Sequence, residues 1–191
     1  MRILYLGPDS ILIDYLKDWG NQINQCQDKI TSEMVLKMKP DFLISYNYRF
    51  ILKSDVLEMF WPSRAVNLHI SYLPWNRGAD PNFWSFAENT PKGVTIHYMD
   101  EGIDTGDIIV QKKVTLGNEE TLKSAYEKLH REIRELFMEH WSRISNRTCY
   151  RQKQTSTGSM HYLKDRERFM HLLKKGWDTP VREVQGCFKS W

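Results

Sequence analysis

The chain has 191 residues, 41% hydrophobic and 27% charged, with a formal net charge of +3 when histidine is neutral. That length suits one ordinary domain burying about 70% of the surface its unfolded chain exposes, and the scattered basic excess falls short of the clustered cationic face that nucleic acid requires. Cys26, Cys149 and Cys187 are too far apart for a disulfide framework or a metal-ligand spacing, and no apolar run approaches the roughly 18 residues of a membrane span, so a cytoplasmic protein without nucleic-acid or membrane partners is expected.

Arg2 to Leu6 reads as a buried strand, and Gly7-Pro8-Asp9-Ser10 turns it into an amphipathic helix carrying Ile11, Leu12, Tyr15, Leu16 and Trp19. A helix start of this kind has free N–H groups for a phosphate, but the Gly-x-Gly spacing is missing and Pro8 removes a donor, which speaks against a phosphate role. Gln22 to Cys26 reads as a strand, Ser32 to Met38 as a short helix and Asp41 to Tyr46 as an apolar strand. Strands alternating with helices predict β-α-β units and a parallel sheet. Tyr46, Tyr48 and Phe50 taken alone read as core.

Arg64 to Leu68 is a further strand, ending in His69 before Pro and Gly signals. In open α/β sheets ligands gather at the carboxyl ends of strands, so Asn67 and His69, on one face of such an end, stand where chemistry is expected. Ile70 to Asp80 reads as a surface loop beside that site. In it Arg77 has the planar fork that grips phosphate or carboxylate, with Trp75 beside it, although local packing of both is an equal alternative. A helix is predicted over Asn82 to Ala87, after Pro81. Thr95 to Met99 and Ile108 to Val114 read as an antiparallel or bent pair of strands around an acidic loop that presents Asp104 and Asp107.

From Asn118 a long helix carries the stripe Leu122, Ala125, Tyr126, Leu129, Ile133, Leu136, Phe137, Trp141 and Ile144, with His130 and His140 expected at its surface or an interface. Beyond Ser145 the Gln, Thr, Ser and Gly content reads as a tail or linker, followed by an amphipathic helix led by Asp165 and ending near Gly176. The expected division is therefore residues 1–145 and a C-terminal extension, 146–191. A homodimer stays open, since helices that dock within a protomer and helices that dimerise share one pattern.

Asn67, His69 and Asp104, converging on one site, suit acyl transfer to an amine. The carboxamide can donate to an oxygen that becomes negative, the imidazole can take the proton the amine loses, and the carboxylate can hold the ring. Local roles are the alternative: a strand cap, a buried hydrogen-bonded histidine and a turn aspartate. Residue pattern alone leaves both open.

The segment carries Asn67, Leu68 and His69, then Ser71, Leu73, Pro74, Arg77, Gly78, Pro81 and Trp84, then Gly93 through Ile108 reading GVTIHYMDEGIDTGDI. In order and spacing this resembles the signature of the folate-dependent formyltransferases. The resemblance implies a Rossmann-like α/β fold, a mostly parallel sheet flanked by helices, here with a shortened N-terminal half and a small C-terminal extension. It implies Asn67, His69 and Asp104 as the catalytic set and formyltetrahydrofolate as donor. The pterin would lie against Phe50, Ile51 and Leu52 and against Asp100, Glu101, Gly102 and Ile103. In the tail, Gly158 and His161, then Lys164-Asp165 and Gly176 through Val181, resemble the C-terminal segment of formyltransferases acting on nucleotide-linked amino sugars, which makes such an amine the expected acceptor. Arg77 and Trp75 are the candidate acceptor contacts. Formylation of glycinamide ribonucleotide or of methionyl-tRNA, hydrolysis of the donor, and a non-catalytic folate- or nucleotide-binding module are the alternatives. Each of the three catalytic alternatives lacks its usual accessory feature in this sequence.

Overall fold

A computed structural model of the chain describes residues 1–188. Its elements run β1 (Arg2–Leu6), α1 (Ser10–Asp18), β2 (Gln22–Cys26), α2 (Ser32–Met38), β3 (Phe42–Tyr46), α3 (Ser54–Leu57), β4 (Ala65–His69), β5 (Arg77–Gly78), α4 (Pro81–Ala87), β6 (Gly93–Tyr98), β7 (Ile108–Lys113), α5 (Leu122–Ser145), β8 (Met160–His161) and α6 (Val181–Val184). Side-chain caps fix three helix starts: Asp9 accepts from Leu12 N–H, Thr31 from Met34 N–H and Thr121 from Ser124 N–H, each satisfying a donor the first turn leaves free.

Six strands form one sheet in the order β2-β1-β3-β4-β6-β7. β2, β1, β3 and β4 pair in parallel, as the alternation of strands and helices predicts, and β6 and β7 add on antiparallel. Strand alternation splits the core in two. Ile3, Tyr5, Ile44, Val66 and Leu68 face the stripe of α5, where Leu129, Ile133, Phe137, Trp141 and Ile144 are buried. Leu4, Leu6, Leu43 and Ala65 face the other side, against Val35 of α2 and Val56 of α3. A third cluster joins Phe83, Trp84, Phe86 and Ala87 of α4 to Leu122 and Ala125 of α5 and to Val181 and Val184 of α6.

Three expectations change. The segment 70–80 is no surface loop: Ile70, Ser71, Leu73 and Asn76 are buried, because its polar groups find partners in Thr95, Ser159 and Glu88. The polar stretch after Ser145 is no free linker, since Gln152 makes an antiparallel bridge to Ile108 and Gln154 bonds two carbonyls of the acidic loop. The expected helix led by Asp165 is a 3-10 run, Leu163–Leu172; Phe169 and Leu172 pack against the third cluster, but none of its residues is fully buried. The last three residues of the expected C-terminal extension lie outside the described residues.

Candidate active site

A cleft of ≈ 570 Å³ opens at the carboxyl ends of β3 and β4. Asn67 and His69 line it, and so does Asp104, brought over from the loop between β6 and β7. Phe50, Ile51 and Leu52 and the run from Asp100 to Ile103 also border it, so both stretches expected to meet the donor face one cavity.

Asp104 is the hub. Its Oδ1 accepts from Asn67 Nδ2 at 2.9 Å and stands 3.3 Å from His97 Nε2; its Oδ2 accepts from the Gly78 N–H at 2.8 Å and stands 3.6 Å from His69 Nδ1. Burial pushes its carboxyl up, but His69, His97 and the Gly78 N–H outweigh burial and hold it well below the ordinary carboxylate range. The aspartate is therefore an anion at neutral pH. Its backbone is left-handed, with φ of 53°, a conformation that Asp tolerates better than most residues.

Both imidazoles have one nitrogen committed. His69 Nε2–H donates to the Asn76 carbonyl at 3.0 Å, and His97 Nδ1–H donates to the Tyr98 carbonyl at 2.8 Å. The other nitrogens, His69 Nδ1 and His97 Nε2, face Asp104 at 3.6 and 3.3 Å: each carries a lone pair in the neutral ring, and in the protonated ring each turns a charged N–H to the carboxylate, the form in which it lowers the Asp104 carboxyl.

His97 is a site residue that sequence reasoning missed. The antiparallel register sets Asn67 opposite His97 and His69 opposite Thr95, so polar residues of two strands share one face. The signal was present in Thr95 and His97, two apart on an alternating strand. Gly78, Asn76 and Gln154 were missed as well; two act through backbone groups and the third arrives from the tail.

Arg77 and Trp75 are not brought to the cleft. The Arg77 guanidinium donates to Gln154 Oε1 at 2.7 and 3.1 Å and to the Thr157 carbonyl at 3.2 Å, fastening the tail instead. The cleft is also lined by Asn47, Asp80, Tyr126, His130, His161 and Tyr162. Among the described residues no group of His, Cys, Asp and Glu has the arrangement to hold a metal ion, and no helix is long and apolar enough to cross a membrane.

Comparison with known proteins agrees with this geometry. The chain is 48% identical, with a TM-score of 0.95, to the formyltransferase PseJ of Anoxybacillus kamchatkensis, whose structure holds UDP-4,6-dideoxy-4-formamido-L-AltNAc and tetrahydrofolate; the likeness covers 99% of this chain and 100% of that one. A 4-N formyltransferase from Francisella tularensis is 25% identical with a TM-score of 0.77, over 87% of this chain and 78% of its own. Methionyl-tRNA formyltransferase of Desulforamulus reducens is 32% identical over 128 residues, 66% of this chain but only 38% of that protein. The chain thus spans about a third of the length of the curated relatives it matches. Residues 10–140 match the formyl transferase family, and with the Asn67, His69 and Asp104 signature set around one cleft the chain belongs to that family.

Proposed function

We propose that this protein transfers a formyl group from formyltetrahydrofolate to the primary amine of a nucleotide-linked amino sugar. The observation that carries the reading is the meeting of Asn67, His69 and Asp104 at one cleft wall, within 2.9 and 3.6 Å of one another through Asp104. Likeness to PseJ along the whole chain supports the sugar-linked amine as acceptor. The cleft suits the donor: Leu52, Ile103 and Leu57 offer apolar wall to a flat ring system, and the Asp100–Ile103 backbone offers it polar edges.

The donor supplies an electrophilic formyl carbon. As the acceptor nitrogen bonds to it, the formyl oxygen gains charge and Asn67 Nδ2–H donates to that oxygen. One Nδ2 hydrogen stays on Asp104, and the other, which has His97 Nε2 opposite it at 3.3 Å, is the one available to the formyl oxygen. His69 Nδ1 takes the proton that the attacking nitrogen loses, with Nε2–H anchored on Asn76. The Asp104 anion stabilises the resulting imidazolium, which returns the proton to the departing folate nitrogen as the carbon–nitrogen bond to the donor breaks.

The test is an incubation of the protein with formyltetrahydrofolate and a panel of amino-sugar nucleotides, read by mass spectrometry for the formyl increment. Transfer to one of them that His69→Asn and Asn67→Ala abolish is expected. Formylation of methionyl-tRNA instead would move the assignment to the activity named for the curated relatives. Formate release without amine would make the protein a hydrolase. Folate binding without turnover on any amine would refute catalysis.

A further inference from the structure

Behind His69, joined to it through the Asn76 carbonyl, lies a polar network whose side chains take no direct part in the transfer. Its centre is Glu88, just past the end of α4. Glu88 Oε2 accepts from Asn76 Nδ2 at 2.9 Å and from Ser159 Oγ at 2.6 Å, and Oε1 accepts from His161 Nε2 at 2.9 Å. Burial pushes the Glu88 carboxyl up, but His161, Ser159 and Asn76 more than offset it, so the group stays charged.

Asn76 is fully buried, and every polar group it has is taken. Its carbonyl accepts from His69 Nε2–H, its side-chain oxygen accepts from Thr90 Oγ1 at 2.8 Å, and its N–H donates to Ser159 Oγ at 3.0 Å. It sits at φ of 57°, a left-handed conformation held by these contacts.

The tail completes the assembly. β8 pairs in parallel with β5, so the Arg77 and Ala79 N–H groups donate to Ser159 and His161 carbonyls, both at 2.9 Å. The Gly78 N–H between them points the other way, to Asp104. A Cβ on Gly158 would stand 2.0 Å from the Pro74 carbonyl oxygen, so the tail approaches the loop this closely only as glycine. The His161 ring stacks on Trp84, with centroids 3.8 Å apart and planes 8° from parallel. Residues 157–161 lie beyond the stretch that matches the family, which ends at residue 140.

We propose that Glu88 is a positioning residue, acting through Asn76 to hold His69 in the tautomer with Nε2 protonated, and that the tail strand carrying Ser159 and His161 is part of the catalytic apparatus. A backbone carbonyl that accepts from Nε2–H excludes the other neutral tautomer, which would set two lone pairs face to face. Glu88 keeps that carbonyl in place by clamping the side chain of the same residue. The catalytic meaning of this arrangement rests on the transfer reading above; the state of the imidazole does not.

The experiment compares Glu88→Ala, Glu88→Gln and Ser159→Ala with the unaltered protein by two readouts. The first is the ¹⁵N spectrum of the His69 imidazole, which separates the two neutral tautomers. Expected are a single Nε2–H form in the unaltered protein and a mixture in E88A. The second is turnover: kcat lower by about ten- to a hundredfold in E88A, as for a misplaced catalytic group, with the KM for the donor within about twofold. E88Q, which keeps an acceptor for Asn76 and Ser159, should recover most of both signals, and S159A should fall between. An unchanged His69 spectrum in E88A overturns the proposal even if melting temperature drops. If E88A fails to fold, the same criterion applies to S159A. Absence of formyl transfer by the unaltered protein would count against the transfer reading, and the spectrum would still decide this one.

Discussion

His130, on the wall of the cleft, gives a stability effect whose size and sign follow from its surroundings. The Tyr46 hydroxyl contacts its Nδ1, and its Nε2 is buried without a partner. Tyr126 lies over the ring, and Arg134 and Asp9 pair beside it at 3.0 Å. Burial, and after it the Arg134 charge, push the imidazole down to about 4, against a weaker upward pull from Asp9. The unfolded chain, with an ordinary histidine near 6.5, therefore binds the proton more readily than the folded one between these values. Stability from this group is full above the upper value and is lost as pH falls towards the lower. At about pH 5 the linkage relation gives roughly 2 kcal/mol, and partial exposure of the ring reduces this to about 1 kcal/mol. His130→Gln does not titrate and keeps an acceptor for Tyr46. Urea denaturation at about pH 7 and pH 5 should show the unaltered protein losing about 1 kcal/mol more than the variant on acidification. Equal losses, or a relative gain by the unaltered protein, would refute the reasoning.

Asp104→Asn keeps the shape of the hub and removes its charge; turnover should fall by at least about a hundredfold while tetrahydrofolate still binds by calorimetry, and near-normal turnover would remove the charge from the mechanism. Gly78→Ala places a Cβ 2.3 Å from the His161 carbonyl oxygen at φ of +84°. The left-handed backbone alone costs about 1–2 kcal/mol in thermal or urea melts, and displacement of the Gly78 N–H from Asp104 should lower activity beyond what unfolding explains. Trp141→Ala empties a fully buried site in the α5 stripe and should cost about 3–5 kcal/mol in urea denaturation, with the folate affinity of the folded fraction unchanged. Arg77→Ala should loosen residues 154–157 in hydrogen exchange and leave acceptor KM within about twofold; a tenfold rise in KM would give the guanidinium an acceptor role after all.

How much of this was legible in the sequence depends on the range of each interaction. Strands β1 to β4 and the stripe of α5 were readable because β-branched runs, turn residues and a helical period are local signals. Asn67, His69 and Asp104 were readable through the resemblance of their segment to the formyltransferase signature, and all three line the cleft. What escaped was built from backbone groups and long-range contacts. The Asn76 carbonyl and the Gly78 N–H leave no mark of their type in a sequence, and Gln154 and Ser159 looked like linker because their partners lie 48 to 83 positions away. Arg77 shows the converse: its chemistry fits an anion, but a nearer acceptor in the tail claimed it.

The position of Asp104 bears on when the site is assembled. β6 runs antiparallel to β4, so Tyr98 lies opposite Val66, and the chain leaving β6 starts below the carboxyl end of β4. The loop must then fold back over the sheet face before β7 begins at Ile108, opposite His97. Polar bonds hold it there. Asp100 Oδ1 accepts from Gly102 N–H and Thr105 Oγ1, and Gln154 Nε2 donates to the Asp104 and Gly106 carbonyls at 2.9 and 2.8 Å. Asp104 itself, in a left-handed conformation, is fixed by Asn67 and Gly78 at both carboxylate oxygens. Conformational cost is thus met within the protein, before any ligand arrives. The binding free energy of donor and acceptor need not be spent on bringing the carboxylate to the imidazole, which is the condition under which electrostatic stabilisation contributes fully to rate.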